Sequence, residues 1–167
     1  MKKNNKSLTE DRTVLITRRV FAWTLFGSVV WISSLIFAPI LKSRIPFLSG
    51  LIYAAFSPTC HQLSDRCFHL GAEPLAVCAR CFGIYIGFLA GTLLFPFVKK
   101  RFPRPLPSAL VFICFTFPVG LDTTANFFHV WNSPSWVRFL LGISWGTILP
   151  CFFIVGISEF FLSQRRE

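Results

Sequence analysis

Charge is what this sequence most lacks. Only 14% of its 167 residues are Asp, Glu, Lys or Arg, whereas a soluble domain draws roughly a quarter of its residues from these types. The shortage excludes an ordinary water-soluble domain. Acidic residues are scarcest, seven against seventeen basic ones, for a net charge of +10. In a soluble protein that balance would suggest nucleic acid as a partner. Here the basic residues gather at the ends of hydrophobic runs and no separate polar domain carries a basic patch. The reading is therefore membrane topology and contact with anionic lipid, not nucleic acid. Internal repeats and low-complexity tracts are missing as well, which leaves no repeat array to consider.

What the chain has in abundance is apolar sequence, 53% of residues with 17% aromatic. The apolar residues fall in runs near twenty long, bilayer length at about 1.5 Å per helical residue. The fold class expected is an all-α integral membrane protein with four transmembrane helices. Its spans lie near Val20–Leu41, Val77–Val98, Ala109–Phe128 and Trp136–Leu162. A polar, basic and frayed tail (1–19) precedes this membrane domain (20–162), and a short tail (163–167) follows. The first run is too long for a signal-peptide core and no A-x-A-like site follows it, so it reads as a span. Pro46–Phe56 is apolar but too short to cross, and reads as interfacial or re-entrant. Pro74 stands where the second helix would begin.

Twelve of the basic residues fall in the N-terminal tail, the KKRFPRP turn at 99–105 and the C-terminal end. Lys42, Arg44, Arg66, Arg80 and Arg138 fall on the other side. The positive-inside rule then places both termini in the cytoplasm and residues 42–76 outside the inner (cytoplasmic) membrane of the cell.

The extracytoplasmic stretch Cys60–Cys81, CHQLSDRCFHLGAEPLAVCARC, concentrates the chemistry: four of the six cysteines and two of the three histidines. Cys78 and Cys81 form a C-x-x-C at a helix start, on one face and near the helix dipole and Arg80, all of which favour thiolate. Cys60 and His61 come from the loop, with Cys67 and His69 in reserve. Cys60, His61, Cys78 and Cys81 would suit a tetrahedral zinc, or iron or another thiophilic metal. Two further readings stand beside a bound metal: a redox-active dithiol with a quinone as its acceptor, and structural disulfides. Cys114 and Cys151 lie mid-span and read as core residues.

Asp122 lies within the third span, with Asn126 and His129 at i+4 and i+7, a polar stripe on one face. An ionisable group at that depth needs a partner or a wet cavity, and Arg138 and Arg80 are the candidates. A transporter or lipid-head-group binder built on Arg80, Asp122 and Arg138 is thus another class of function. Glu159 is expected to snorkel at the cytoplasmic end. Gly83, Gly87 and Gly91, and Gly142 and Gly146, recur every four residues and read as helix-packing stripes.

Cys60–Gln62, Gly71, the run Cys78–Gly87, the intramembrane Asp and the N-S-P…R stretch together resemble a family of small prokaryotic membrane proteins known by a domain-of-unknown-function label. The resemblance covers about residues 50–146. It carries over Cys60, His61, Cys78, Arg80, Cys81, Asp122, Asn132 and Arg138 as site residues, and implies no activity. The family pattern has Ser at Cys67 and Thr at Phe82. In layout alone, a C-x-x-C at the outer face and a loop pair Cys60 and Cys67, the chain is also similar to four-helix disulfide-generating enzymes. A homo-oligomer or a place in a larger membrane complex is compatible with all of these readings.

Overall fold

A computed structural model describes residues 2–101 and 108–164, with side chains from Thr13 onward. In chain order the elements are α1 (Lys2–Leu41), α2 (Pro46–Phe56), a 3-10 turn (Ser64–Arg66), β1 (Cys67–Leu70), β2 (Glu73–Cys78), α3 (Ala79–Arg101), α4 (Ala109–Phe127) and α5 (Ser135–Ser163). Four of these, Thr13–Leu41 within α1 together with α3, α4 and α5, are long and apolar enough to cross a bilayer. The protein is a mostly helical membrane protein. Its outer faces carry large apolar side chains such as Trp23, Phe97 and Leu110, which suits lipid rather than water. The residues expected as a frayed tail continue α1, since no Gly or Pro interrupts the chain before Gly27. The expected basic turn lies outside the described residues from 102 on, as do residues 165–167 of the C-terminal tail.

The bundle is built on α3 and α5. A Cβ on Gly83 or Gly87 would fall on the carbonyl oxygen of Phe139 or Ile143, and one on Gly91 on that of Thr147. From the other side, a Cβ on Gly142 or Gly146 would fall on the carbonyl oxygen of Arg80 or Ile84. Only glycine lets the two backbones meet this closely. α1 lies against both helices. α4 leans on α5, where Trp145 Nε1 donates to Thr116 Oγ1 at 3.0 Å. Cys114 on α4 is exposed, in contrast to the core position expected, because so little of α4 is covered; Cys151 on α5 is buried.

One end is capped by α2 and a β-hairpin. Proline at the first turn of α2 suits a position that needs no N–H. Ser49 of α2 donates to the Ala38 carbonyl of α1 at 2.7 Å, satisfying a carbonyl of the last turn. The hairpin pairs Cys67 with Cys78, His69 with Pro74 and Leu70 with Glu73, with an irregularity between Cys67 and His69. Gly71 takes φ +67 at its turn, where a side chain would strain the backbone. The hairpin corrects two expectations. Pro74 sits in a strand of a two-stranded ribbon, whose free edge needs no N–H, and α3 begins at Ala79. Cys78 therefore ends a strand, and only Cys81 lies on the helix.

Candidate functional site

The hairpin end gathers Leu35, Ala38, Phe56, Cys60, Ala76 and Val77 into a buried cluster, with Cys78, Cys81 and Tyr85 packed against it. Three connections hold the loop in place. Gln62 Nε2 donates to the Tyr53 carbonyl at 2.7 Å, the Tyr53 hydroxyl donates to the Pro74 carbonyl, and Lys42 pairs with Glu73 at 2.5 Å. Gln62 itself has φ 52, a left-handed kink that turns the chain away directly after Cys60 and His61.

These restraints bring three thiols together. The sulfurs of Cys60, Cys78 and Cys81 all lie within 4.8 Å of one another. Cys60 is 6% exposed, and its sulfur accepts from the Cys78 backbone N–H at 3.1 Å. The neighbouring Cys78 and Cys81 thiols, with this backbone N–H, hold Cys60 below the ordinary thiol range. The surroundings of Cys60 favour its thiolate form. His61 is exposed and stands outside the group. Adjacent residues in an extended loop point apart, and Cys60 takes the inward direction. His69 also faces outward, where its Nε2 lies 3.3 Å from the Ser64 hydroxyl. Cys67 is buried at 5% exposure directly across the ladder from Cys78. Burial and the neighbouring Cys78 and Cys60 push its thiol up to about 12.

Beside the thiols lies a polar network spanning α3, α4 and α5. Asp122 on α4, its side chain 9% exposed, pairs with Arg80 of α3. It also accepts from Ser133 and from Asn126 Nδ2 at 3.1 Å. Asn126 in turn accepts from Arg138 Nη2 at 2.7 Å, and Asn132 from the same nitrogen at 3.2 Å. So Asp122 takes Arg80 as its partner, and the amides of Asn126 and Asn132 hold Arg138. Ser133, the middle residue of the N-S-P stretch, is not among the site residues expected from the sequence, because it lies beyond the helix in the connection to α5. His129 follows the end of α4 with φ 56 and is exposed, so the expected i+7 stripe stops at Asn126. Glu159 is exposed near the end of α5.

Under the thiols, between α1, α3 and α5, runs an apolar groove of about 960 Å³. It reaches from Ile16 and Arg19 to Trp31 and Tyr85. Tyr85 stands one turn below Cys81 on α3, with its ring against Trp31 at 6.0 Å between centroids.

No solved structure matches this chain. An uncharacterised protein of Methanocaldococcus jannaschii is 38% identical over 119 residues, covering 68% of this chain and 76% of that one. The family model described as "predicted membrane protein (DUF2085)" matches residues 60–152, a stretch that contains the thiol triad and the whole Arg80–Asp122–Arg138 network. On both grounds the chain belongs to the DUF2085 family of membrane proteins.

Proposed function

We propose that this protein is a membrane metal-binding protein whose site is formed by Cys60, Cys78 and Cys81, facing the extracytoplasmic side. The observation that carries this reading is the convergence of three sulfurs within 4.8 Å. Sulfurs bound tetrahedrally to one zinc at about 2.3 Å stand about 3.8 Å apart, so an inward rotation of these side chains by up to about 1 Å would seat the ion. Three soft donors favour zinc, iron or another thiophilic metal over magnesium or calcium. The donors to Cys60 already favour the thiolate that such a metal needs. His61 would have to turn inward to complete the four-ligand site expected from the sequence. With His61 outward the fourth position stays open, the arrangement of catalytic rather than structural zinc. The basic residues concentrated at the opposite end of the spans support the outward orientation.

The test is metal content per chain, measured on detergent-purified protein prepared without chelator or added metal, with free thiols counted on the same sample. About one metal per chain is expected, lost in Cys78→Ser and in Cys81→Ser and retained in His61→Ala if the site has three protein ligands.

A second reading, a thiol–disulfide oxidoreductase, is favoured by two observations. Cys78 faces Cys67 across the ladder, where paired antiparallel residues stand within disulfide reach, and the apolar groove ends at Tyr85 below Cys81. In that chemistry two thiols pass two electrons and two protons to a quinone, leaving a disulfide and a quinol. Metal-free protein whose thiols are oxidised by added quinone, and not in Cys78→Ser, would replace the first reading with this one.

A further inference from the structure

Three arginines converge at the hairpin end from three separate elements. Arg66 ends the 3-10 turn, Arg80 opens α3 and Arg138 lies in the first turn of α5. Arg66 and Arg80 both lie within electrostatic reach of Arg138. The Nε atoms of all three are buried, and none has a hydrogen-bond partner among the described residues. Arg66 Nε lies 3.7 Å from exposed Asp65 Oδ2, an ion pair without a hydrogen bond. Arg80 spends its Nη2 on Asp122, and Arg138 spends its Nη2 on Asn126 and Asn132. Arg138 is only 4% exposed.

Such an arrangement is costly by itself. Arg80 and Arg138 share one buried carboxylate, Asp122, and Arg66 has only the exposed Asp65, while each of the three leaves a buried N–H unsatisfied. The glycine seam enforces the crowding: Gly142, one turn beyond Arg138, packs on the main chain of Arg80. A planar guanidinium offers several donors in a fixed fork, matched to the oxygens of phosphate or carboxylate. No sulfur of the triad is within hydrogen-bond reach of the free Nε atoms, so the thiols do not supply the missing acceptors.

We infer that Arg66, Arg80 and Arg138 form a binding site for a phosphate-type oxyanion beside the cysteine triad. The anion takes the three free N–H donors, and Asp122 with Asn126, Asn132 and Ser133 fixes two of the guanidiniums in place. The inference is independent of the metal reading. A free phosphate and the phosphate of an anionic lipid head group share this chemistry.

The experiment follows the melting temperature of the full chain in maltoside detergent as inorganic phosphate is added, against chloride at equal ionic strength. A parallel pair of samples is held in bilayer discs of phosphatidylglycerol and of phosphatidylcholine. Saturable stabilisation by phosphate over chloride is expected. Arg66→Gln, a change in the loop outside the helix bundle, should raise the half-saturating concentration about tenfold or more, the worth of one charge-assisted hydrogen bond. Arg138→Lys should keep the charge and lose part of the effect. Cys78→Ser should leave the phosphate response intact even where it removes a metal. Stabilisation by phosphatidylglycerol alone, weakened again in Arg66→Gln, assigns the anion to a lipid head group. Equal responses to phosphate and chloride together with equal stability in the two lipids overturn the site, as does a response that Arg66→Gln leaves unchanged.

Discussion

The α3–α5 seam and the hairpin end are neighbours built on opposite principles. Along the seam, glycine lets backbone meet backbone, and neither charge nor thiol takes part. Its stability comes from close packing, which in lipid replaces the hydrophobic drive available in water. At the hairpin end an apolar cluster is shared with buried thiols and charges, and several of these polar contacts are costly unless a partner is supplied. The two are nevertheless joined, since the top of the seam is the contact between Gly142 and Arg80. The inert region holds the reactive one in a crowded geometry that its own charges would not choose.

The difference can be broken most severely from the inert side. Gly146→Leu would drive a branched side chain into the Ile84 main chain, where even a Cβ has no room. It is expected to abolish the folded protein, read as loss of the monodisperse peak in detergent gel filtration. Gly87→Ala is the graded form, with an expected cost of about 1–3 kcal/mol from overpacking. Gly156→Ala, on the same α5 but with open space around it, should be neutral or stabilising by about 0.5–1 kcal/mol.

The next largest effect is at the reactive end. Asp122→Ala removes the carboxylate facing Arg80 and an acceptor for Ser133 and Asn126. Leaving a buried guanidinium without its partner costs about 3 kcal/mol or more, so the melting temperature should fall further than for Gly87→Ala. The double variant Asp122→Ala with Arg80→Ala should recover part of that loss, because the uncompensated charge goes with it. Independent costs that simply add would show that the pair is not coupled.

The two regions were also unequally legible in the sequence. The four spans follow from the lengths of the apolar runs and the glycine stripes from their four-residue spacing, and the fold has four helices long and apolar enough to cross a bilayer, with glycines packed along α3 and α5. The cysteine cluster was visible as composition, yet the outward position of His61, expected as its fourth member, was not. His61 and Cys60 are equally adjacent on paper, but adjacent residues of an extended loop point apart, and it is Cys60 that turns inward and His61 that faces solvent. The hairpin was hidden because Pro74 and a C-x-x-C imitate a helix start. The stretch Glu73–Cys78 becomes a strand only through its partner Cys67–Leu70, a non-local pairing that no local propensity encodes. Arg66 was read as a loop charge for the same reason: its neighbours Arg80 and Arg138 are brought to it by a seam remote in sequence.

The effect that is smallest at neutral pH tests whether Cys67 belongs to the triad or only borders it. Its thiol is held up to about 12 by burial and by the nearby Cys78 and Cys60, against an ordinary value of 9.0. An acid with a raised folded value keeps its contribution to stability below its unfolded value, and loses it as pH climbs toward the folded one. Wild-type protein should therefore lose stability progressively between about pH 9 and about pH 12, and Cys67→Ser should show a shallower decline in the same thermal titration. The metal content of Cys67→Ser should stay near that of wild type, because the three convergent sulfurs are untouched. A variant that lost both the alkaline slope and the metal would make Cys67 a working ligand, and the reactive end would then be a four-thiol site.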